Sequence, residues 1–394
     1  MNSKLCEELG IEFPLFAFSH CRDVVAAVTK AGGFGVFGAT NLSGPELEIE
    51  LNWIDSQVNG MPYGVDLIVP NNFVGKGENL SDEDMLGKIP QSHKDFAHNI
   101  LENNGIDVDP NELEEDRKNH LRFGKNMTPE GAHESLTVAF NHPIKMIVNA
   151  LGMPPKQMVD MAKDAGVKVG ALVGAKKHAI NQINAGVDVL IVAGGEAGGH
   201  CGEVSSMVLI PEVYNAIKDI KDVPILAAGG IASGSQMAAA MAMGASGAWC
   251  GSVWLTTTEA ETNPIVKEKM LSASSADTVR SKSRTGKHSR QLRSPWTDAW
   301  ENSDQVQPLP SPVQPLVAEP ALRKLDKLAL AGNKQAADLA TYWVGQAVGL
   351  MNETKSAGEV VQDFKTDFIE AYERLNGALA VSYTHLRAHE TTNY

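Results

Sequence analysis

The chain has 394 residues, 43% of them hydrophobic and 36 of them glycine, enough to bury a full core and more than one small domain needs. Its 34 basic and 48 acidic side chains leave a formal charge of −14, a field that repels nucleic acid and anionic membrane and favours a small-molecule substrate. Cys6, Cys21, Cys201 and Cys250 form no C-x-x-C pair, which argues against a zinc knuckle or a disulfide framework and fits a reducing cytoplasm; no metal is expected.

The N-terminus carries acids where a signal peptide needs a basic region and then an apolar one, so no targeting segment is expected. A strand is predicted over 14–18, followed by a helix with a Val24, Val25 and Val28 stripe. That helix ends in Lys30-Ala31-Gly32, where glycine past a helix end takes φ > 0 cheaply and feeds a strand over 34–39. Gly33, Gly35 and Gly38 spell G-x-G-x-x-G, but a dinucleotide fingerprint needs strand before and helix after, and here the order is reversed. Ser43 and Glu46 around Pro45 read as a capping box opening a helix whose Leu47, Leu51, Ile54 and Val58 face the core.

A third strand follows over 63–69, and then 71–142, long, charged and weakly periodic, interrupts the third βα unit. Strands are predicted over 144–149, 167–173, 187–193, 224–228 and 247–253. The small-residue-plus-glycine junction recurs at Gly166, Gly186 and Gly244. The apolar stretch 237–255 is broken by Gly244, Gly247 and Gly251 and reads as helix, turn and strand, not as a membrane span. Helix-like patterns return around 324–346 and 359–375, whereas SYTHLRAHETTNY at the end resembles translated adapter sequence.

Eight apolar strands alternating with helices predict an α/β fold, a (β/α)₈ TIM barrel over 1–271. The 71–142 insertion is expected to cover the barrel mouth, 272–380 to form a helical extension, and 381–394 to be a non-native or disordered tail.

In such a barrel, chemistry projects from the carboxyl ends of the strands, and phosphate commonly sits after strands seven and eight. Gly229-Gly230 follows the seventh predicted strand and Gly251-Ser252 the eighth, so together they read as a phosphate cradle. After the sixth, Gly194, Gly195, Gly198, Gly199 and Gly202 surround His200, giving a low-bulk loop in which a flat ring could lie against backbone beside an imidazole poised to take a proton near pH 7. His20 would also reach the mouth, and His142 belongs at the opposite face. Glu196 reads as a capping acid, Cys201 as a packing residue, and Ser252 as a donor to phosphate or a turn cap. The basic run Lys282, Arg284, Lys287 and Arg290 is expected to pair with acids or lie near the phosphate.

The run from Gly194 to Gly202, with Gly229-Gly230-Ile231, Gly251-Ser252 and Asp277-Thr278-Val279-Arg280, resembles the nitronate monooxygenase family, formerly the 2-nitropropane dioxygenases. The resemblance implies bound FMN, oxidation of alkyl nitronates or nitroalkanes by O₂, and His200 as the base that removes the α-proton. It implies cofactor contacts at Ala17, Asp66, Gly194, Gly195, Gly199, Gly229, Gly230, Gly251 and Ser252. Two positions depart from the family pattern: Phe16-Ala17-Phe18-Ser19 stands where many relatives carry an Ala-Pro-Met type segment, and Asp66 where asparagine is common. A flavin-dependent enoyl-acyl-carrier-protein reductase, an NAD(P)H:quinone reductase and a non-catalytic phosphoryl-ligand barrel are the alternatives. A homodimer is compatible with the reading.

Overall fold

In the computed structural model the described residues are 1, 3–40, 42–69, 82–124 and 129–390. Eight parallel strands close into a barrel. They are β1 (Leu15–Ser19), β2 (Phe34–Gly38), β3 (Gly64–Leu67), β4 (Met146–Asn149), β5 (Lys168–Val173), β6 (Val189–Ala193) and, after the short outlying β7 (Gly199–His200), β8 (Ile225–Ala228) and β9 (Gly247–Cys250). The predicted strands coincide with these to within a few residues. The last stops at Cys250 because Ser252–Trp254 turns into a 3₁₀ helix. Outside the barrel, β10 (Thr278–Ser281), β11 (Ser289–Leu292) and β7 form an antiparallel sheet in the order β10-β11-β7.

Alternation along the strands sorts the core into two layers. Phe16, Phe34, Val36, Met146, Val148, Ile191 and Trp249 fill the barrel interior, and Leu5 and Leu9 of α1 (Lys4–Leu9) belong to the same cluster. Their sequence neighbours, such as Leu15, Ala17, Val65, Ile147 and Val192, face outward against the helices. The four junction glycines Gly32, Gly166, Gly186 and Gly244 all have positive φ, and Ser43 with Glu46 forms the capping box.

The helices, in chain order, run through α2 (Arg22–Lys30), α3 (Gly44–Val58), α4 (Asp82–Gly87), α5 (Gln91–Asn103), α6 (Pro110–Gly124) and α7 (Pro129–Asn141). They continue with α8 (Lys156–Ala165), α9 (Lys176–Asn184), α10 (Ser206–Ile217), α11 (Gly234–Ala242), α12 (Pro264–Ser272), α13 (Pro295–Glu301), α14 (Gln314–Leu330), α15 (Lys334–Leu339) and α16 (Ala357–Glu390). Two of them complete the barrel after long detours. α7 packs against α3, α8 and β3, and so serves as the helix of the third βα unit. α16 lies between α11 and α2 and closes the ring, with Val361 and Phe364 in the barrel core. At its crossing with α11 a Cβ on Gly234 would come within 2.0 Å of the Phe364 carbonyl oxygen, so only glycine allows the contact.

Both detours leave from strand carboxyl ends, and they share one core. Ala97, Ile100 and Leu101 of α5 pack with Trp296, Trp300, Leu316 and Leu322 from the later excursion. Part of 71–142, the stretch 71–81 and 125–128, lies outside the described residues, as does 391–394; α16 runs as backbone to Glu390. Among the described residues no helix is long and apolar enough to cross a membrane.

The shared lobe is braced by a buried ion pair. Arg284 Nε and Nη2 donate to Glu319 at 2.7 and 3.3 Å, and the guanidinium lies 3.9 Å from the Trp343 ring centroid. Burial pushes the Glu319 carboxyl up, but Arg284, with smaller help from His120 and Arg323, outweighs this and holds it below the usual carboxylate range. Glu319→Ala strands a buried cation and is expected to lower stability by about 3–5 kcal/mol, read as a shift in the denaturant midpoint.

Candidate active site

The loop after β6 carries His200 and is held in place by the basic run. β7 pairs with β11 so that His200 lies opposite Ser289 and Gly199 opposite Arg290. Arg290 donates Nε and Nη2 to the Gly195 carbonyl at 3.0 and 2.8 Å and Nη1 to Thr278 at 3.2 Å. Arg280 reaches Glu203 at 3.0 Å. Arg290 therefore clamps the glycine loop through its carbonyl, a use not expected of it, and Arg280 pairs with an acid. His200 Nε2 lies 2.8 Å from Thr285 Oγ1. Although the residue as a whole is exposed, the protein around its ring desolvates it enough to lower its pKa, and Lys287 adds a push in the same direction. The imidazole is therefore neutral at pH 7 and able to accept a proton.

The other two loops stand beside it. The Gly194 N–H donates to Ala228 O at 3.1 Å, which ties the loop after β6 to the end of β8. Gly229 and Gly230 take φ of +90° and +76°, and a Cβ on either would come within about 3.0 Å of the loop carrying Gly194 and Glu196. The double glycine is thus demanded by the turn and by the neighbouring loop. A cleft of about 360 Å³ opens at this turn, lined also by Ser206, Gln236 and Gln346, and it does not reach His200. The backbone N–H groups of Gly230 and Gly251 have no protein acceptor among the described residues. A Cβ on Gly251 would meet only Phe18 Cδ1 at 3.7 Å, leaving open space over that turn. Unclaimed donors beside open space suit an anionic oxygen.

The remaining candidates have more local roles. Ser252 Oγ accepts from Gly345 N–H at 2.8 Å, and Gln346 N–H donates to Glu196 O at 2.9 Å, so the 345–346 segment bridges the loops after β6 and β9. The Glu196 carboxylate accepts from Ser206 N–H at 2.9 and 3.1 Å and caps α10, as expected of it. Ala17 points its methyl outward into the helix layer, so only its backbone borders the interior. His142 sits far from the mouth loops in sequence and space, bonded to Asp55 and Glu48. His20 Nδ1 lies 2.6 Å from Gly38 O. Cys21, Asp23 and Glu261 bring ligand atoms within 4.8 Å of one another, but burial raises the Cys21 thiol, and its Sγ donates to Glu259 O. That is the state of a protonated packing cysteine.

Asp66 is the unusual one. It shares the inner face of β3 with Gly64, is 2% exposed, and its Oδ1 has no hydrogen-bond partner. Burial drives its pKa well above the usual value, against a smaller opposing effect from the Ala150 N–H. An unfolded aspartate ionises near ~3.9, the folded one at much higher pH. Between those values the unfolded chain binds fewer protons, so stability falls as pH rises. Asp66→Asn cannot ionise and is expected to raise the melting temperature of the flavin-free protein, more at roughly pH 8 than near pH 4. Equal shifts at both pH values would show that Asp66 does not titrate late.

Thr285 and the 345–346 segment were not singled out by the sequence pattern. Only Gly345, where an added Cβ would come within 2.6 Å of Glu196 O, offered a local signal.

Loops from three strands, gathered on the carboxyl face of a closed parallel barrel that also carries a neutral imidazole, define a (β/α)₈-barrel enzyme. The sequence profile of the family described as nitronate monooxygenase matches residues 2–367. A protein of Mycobacterium tuberculosis named as a monooxygenase is 46% identical over 379 residues, covering 96% of this chain and 99% of its own. Among solved structures, a nitroalkane oxidase from Streptomyces ansochromogenes superposes with a TM-score of 0.76 at 21% identity, over 95% of this chain and 100% of that one. FabK from Thermotoga maritima gives 0.70 at 24% identity, over 96% and 99%. The chain belongs to the nitronate monooxygenase family, and it is a flavin-dependent oxidoreductase.

Proposed function

We propose that the protein binds FMN and oxidises alkyl nitronates, and nitroalkanes by way of them, with O₂ as electron acceptor. The observation that carries this reading is the placement of a neutral, solvent-reachable His200 on the same barrel face as two glycine turns with unclaimed N–H groups. Gly229, Gly230, Gly251 and Ser252 would hold the phosphate, while Gly194, Gly195 and Gly199 keep the loop beside the ring low in bulk. Bound FMN supplies the redox chemistry.

The chain's own contribution is positioning and proton transfer. His200 takes the α-proton of a nitroalkane and becomes imidazolium while the substrate becomes an anion. Lys287 disfavours the imidazolium electrostatically, but the same ammonium favours the anionic nitronate formed beside it, so one charge serves both partners of the transfer. Asp66 and the backbone of Ala17 border the interior beneath the mouth.

Purified protein should be yellow and should consume oxygen with propyl nitronate. NADH oxidation on crotonyl thioester is the control, and activity there without nitronate turnover would favour the enoyl reductase alternative.

A further inference from the structure

We propose that Thr285 is a positioning residue that fixes the tautomer of His200, holding Nε2 as the N–H donor and leaving Nδ1 as the basic nitrogen. The proposal rests on the reading of His200 as the base and extends it to which nitrogen takes the proton.

With its proton given to Lys287 O, the threonine oxygen is left one role toward the imidazole. A threonine hydroxyl has one proton and two lone pairs. In this loop the Thr285 hydroxyl donates to Lys287 O at 3.2 Å, and Lys287 N–H donates back to Oγ1 at 3.3 Å. The contact that remains, 2.8 Å to His200 Nε2, is then one in which Oγ1 accepts, and only a protonated nitrogen can meet it. Which ring nitrogen is bare follows from the bond the other one makes.

Both ends of this bond are fixed by their backbones. His200 is held by the pairing of β7 with β11. Thr285 is 9% exposed and follows Arg284, which is pinned by Glu319 and stacked near Trp343. The hydroxyl itself is held between His200 and the Lys287 backbone. When Nδ1 takes a proton from substrate carbon, the ring carries both N–H groups. The Nε2–H···Oγ1 bond is kept, and it strengthens because its donor is now charged.

The test is nitrogen NMR on the flavin-loaded protein with ¹⁵N-labelled histidine, His200→Asn identifying the His200 signals by their loss. Near neutral pH the wild-type spectrum should show His200 Nε2 protonated and Nδ1 bare. Thr285→Val should mix the two tautomers and lower kcat for nitroalkanes on the order of 10-fold, with KM and nitronate turnover little changed. Thr285→Ser keeps the oxygen and should restore the wild-type pattern. A wild-type spectrum with Nδ1 protonated, or a Thr285→Val spectrum identical to wild type, overturns the proposal. The spectrum is read without substrate, so absence of nitroalkane turnover in the wild type would count against the proposed function and not against the tautomer.

Discussion

His200→Asn is expected to lower kcat for nitroalkanes by about 10²–10⁴-fold while leaving oxidation of preformed nitronates within a few-fold of wild type. A nitroalkane must lose its α-proton before it can be oxidised, whereas a nitronate has already lost it. Asparagine keeps the backbone pairing of β7 with β11 and cannot accept that proton. In the wild type the acid limb of nitroalkane turnover should lie below the ordinary histidine value of ~6.5, because burial and Lys287 both lower the pKa of His200. Activity falls as His200 becomes protonated on lowering the pH, and the limb should vanish for nitronates. Stopped-flow reduction of the flavin by each substrate separates the two cases, and an equal loss on both would remove His200 from the role of base.

Gly251→Val is expected to leave the fold intact and weaken FMN binding by at least ~10²-fold, the scale of two charge-assisted hydrogen bonds at roughly 1.5–3 kcal/mol each. At φ −114° and ψ −56° the backbone of Gly251 suits any residue, and its Cβ would meet only Phe18 Cδ1 at 3.7 Å. The side chain would instead fill the open space over the N–H groups of Gly251 and Ser252. Gly230→Val is a poorer probe, since φ of +76° and a 3.0 Å approach to Glu196 Cβ would disturb the turn itself. Circular dichroism and a fluorescence titration of the flavin-free protein check both halves. Unchanged affinity for FMN would move the phosphate elsewhere.

The barrel was legible because its strands are buried on both faces and so read as continuous apolar runs, four of them preceded by a glycine whose left-handed φ ends a helix. The two detours were not. Nothing in the period of 129–141 or 357–375 says which strands a helix covers, and α7 and α16 are barrel helices only by virtue of their neighbours. Likewise the core that joins Leu101 to Trp300 links segments far apart in the chain, a pairing that local periodicity cannot express. The glycines of the mouth were visible as a constellation. Their support was hidden, because β7, β10 and β11 are two to four residues long and largely polar, without alternation. Thr285 contacts a histidine 85 residues earlier in the chain. The basic run showed that charge was present, and only the folded hairpin shows Arg290 turned onto Gly195.

A crystal structure of the FMN-loaded protein tests the arrangement most directly. Phosphate oxygens within about 3 Å of the Gly230 and Ser252 N–H groups, with the isoalloxazine facing the His200 imidazole, is the expected result. A phosphate bound away from those turns, or a ring out of reach of His200, would contradict it.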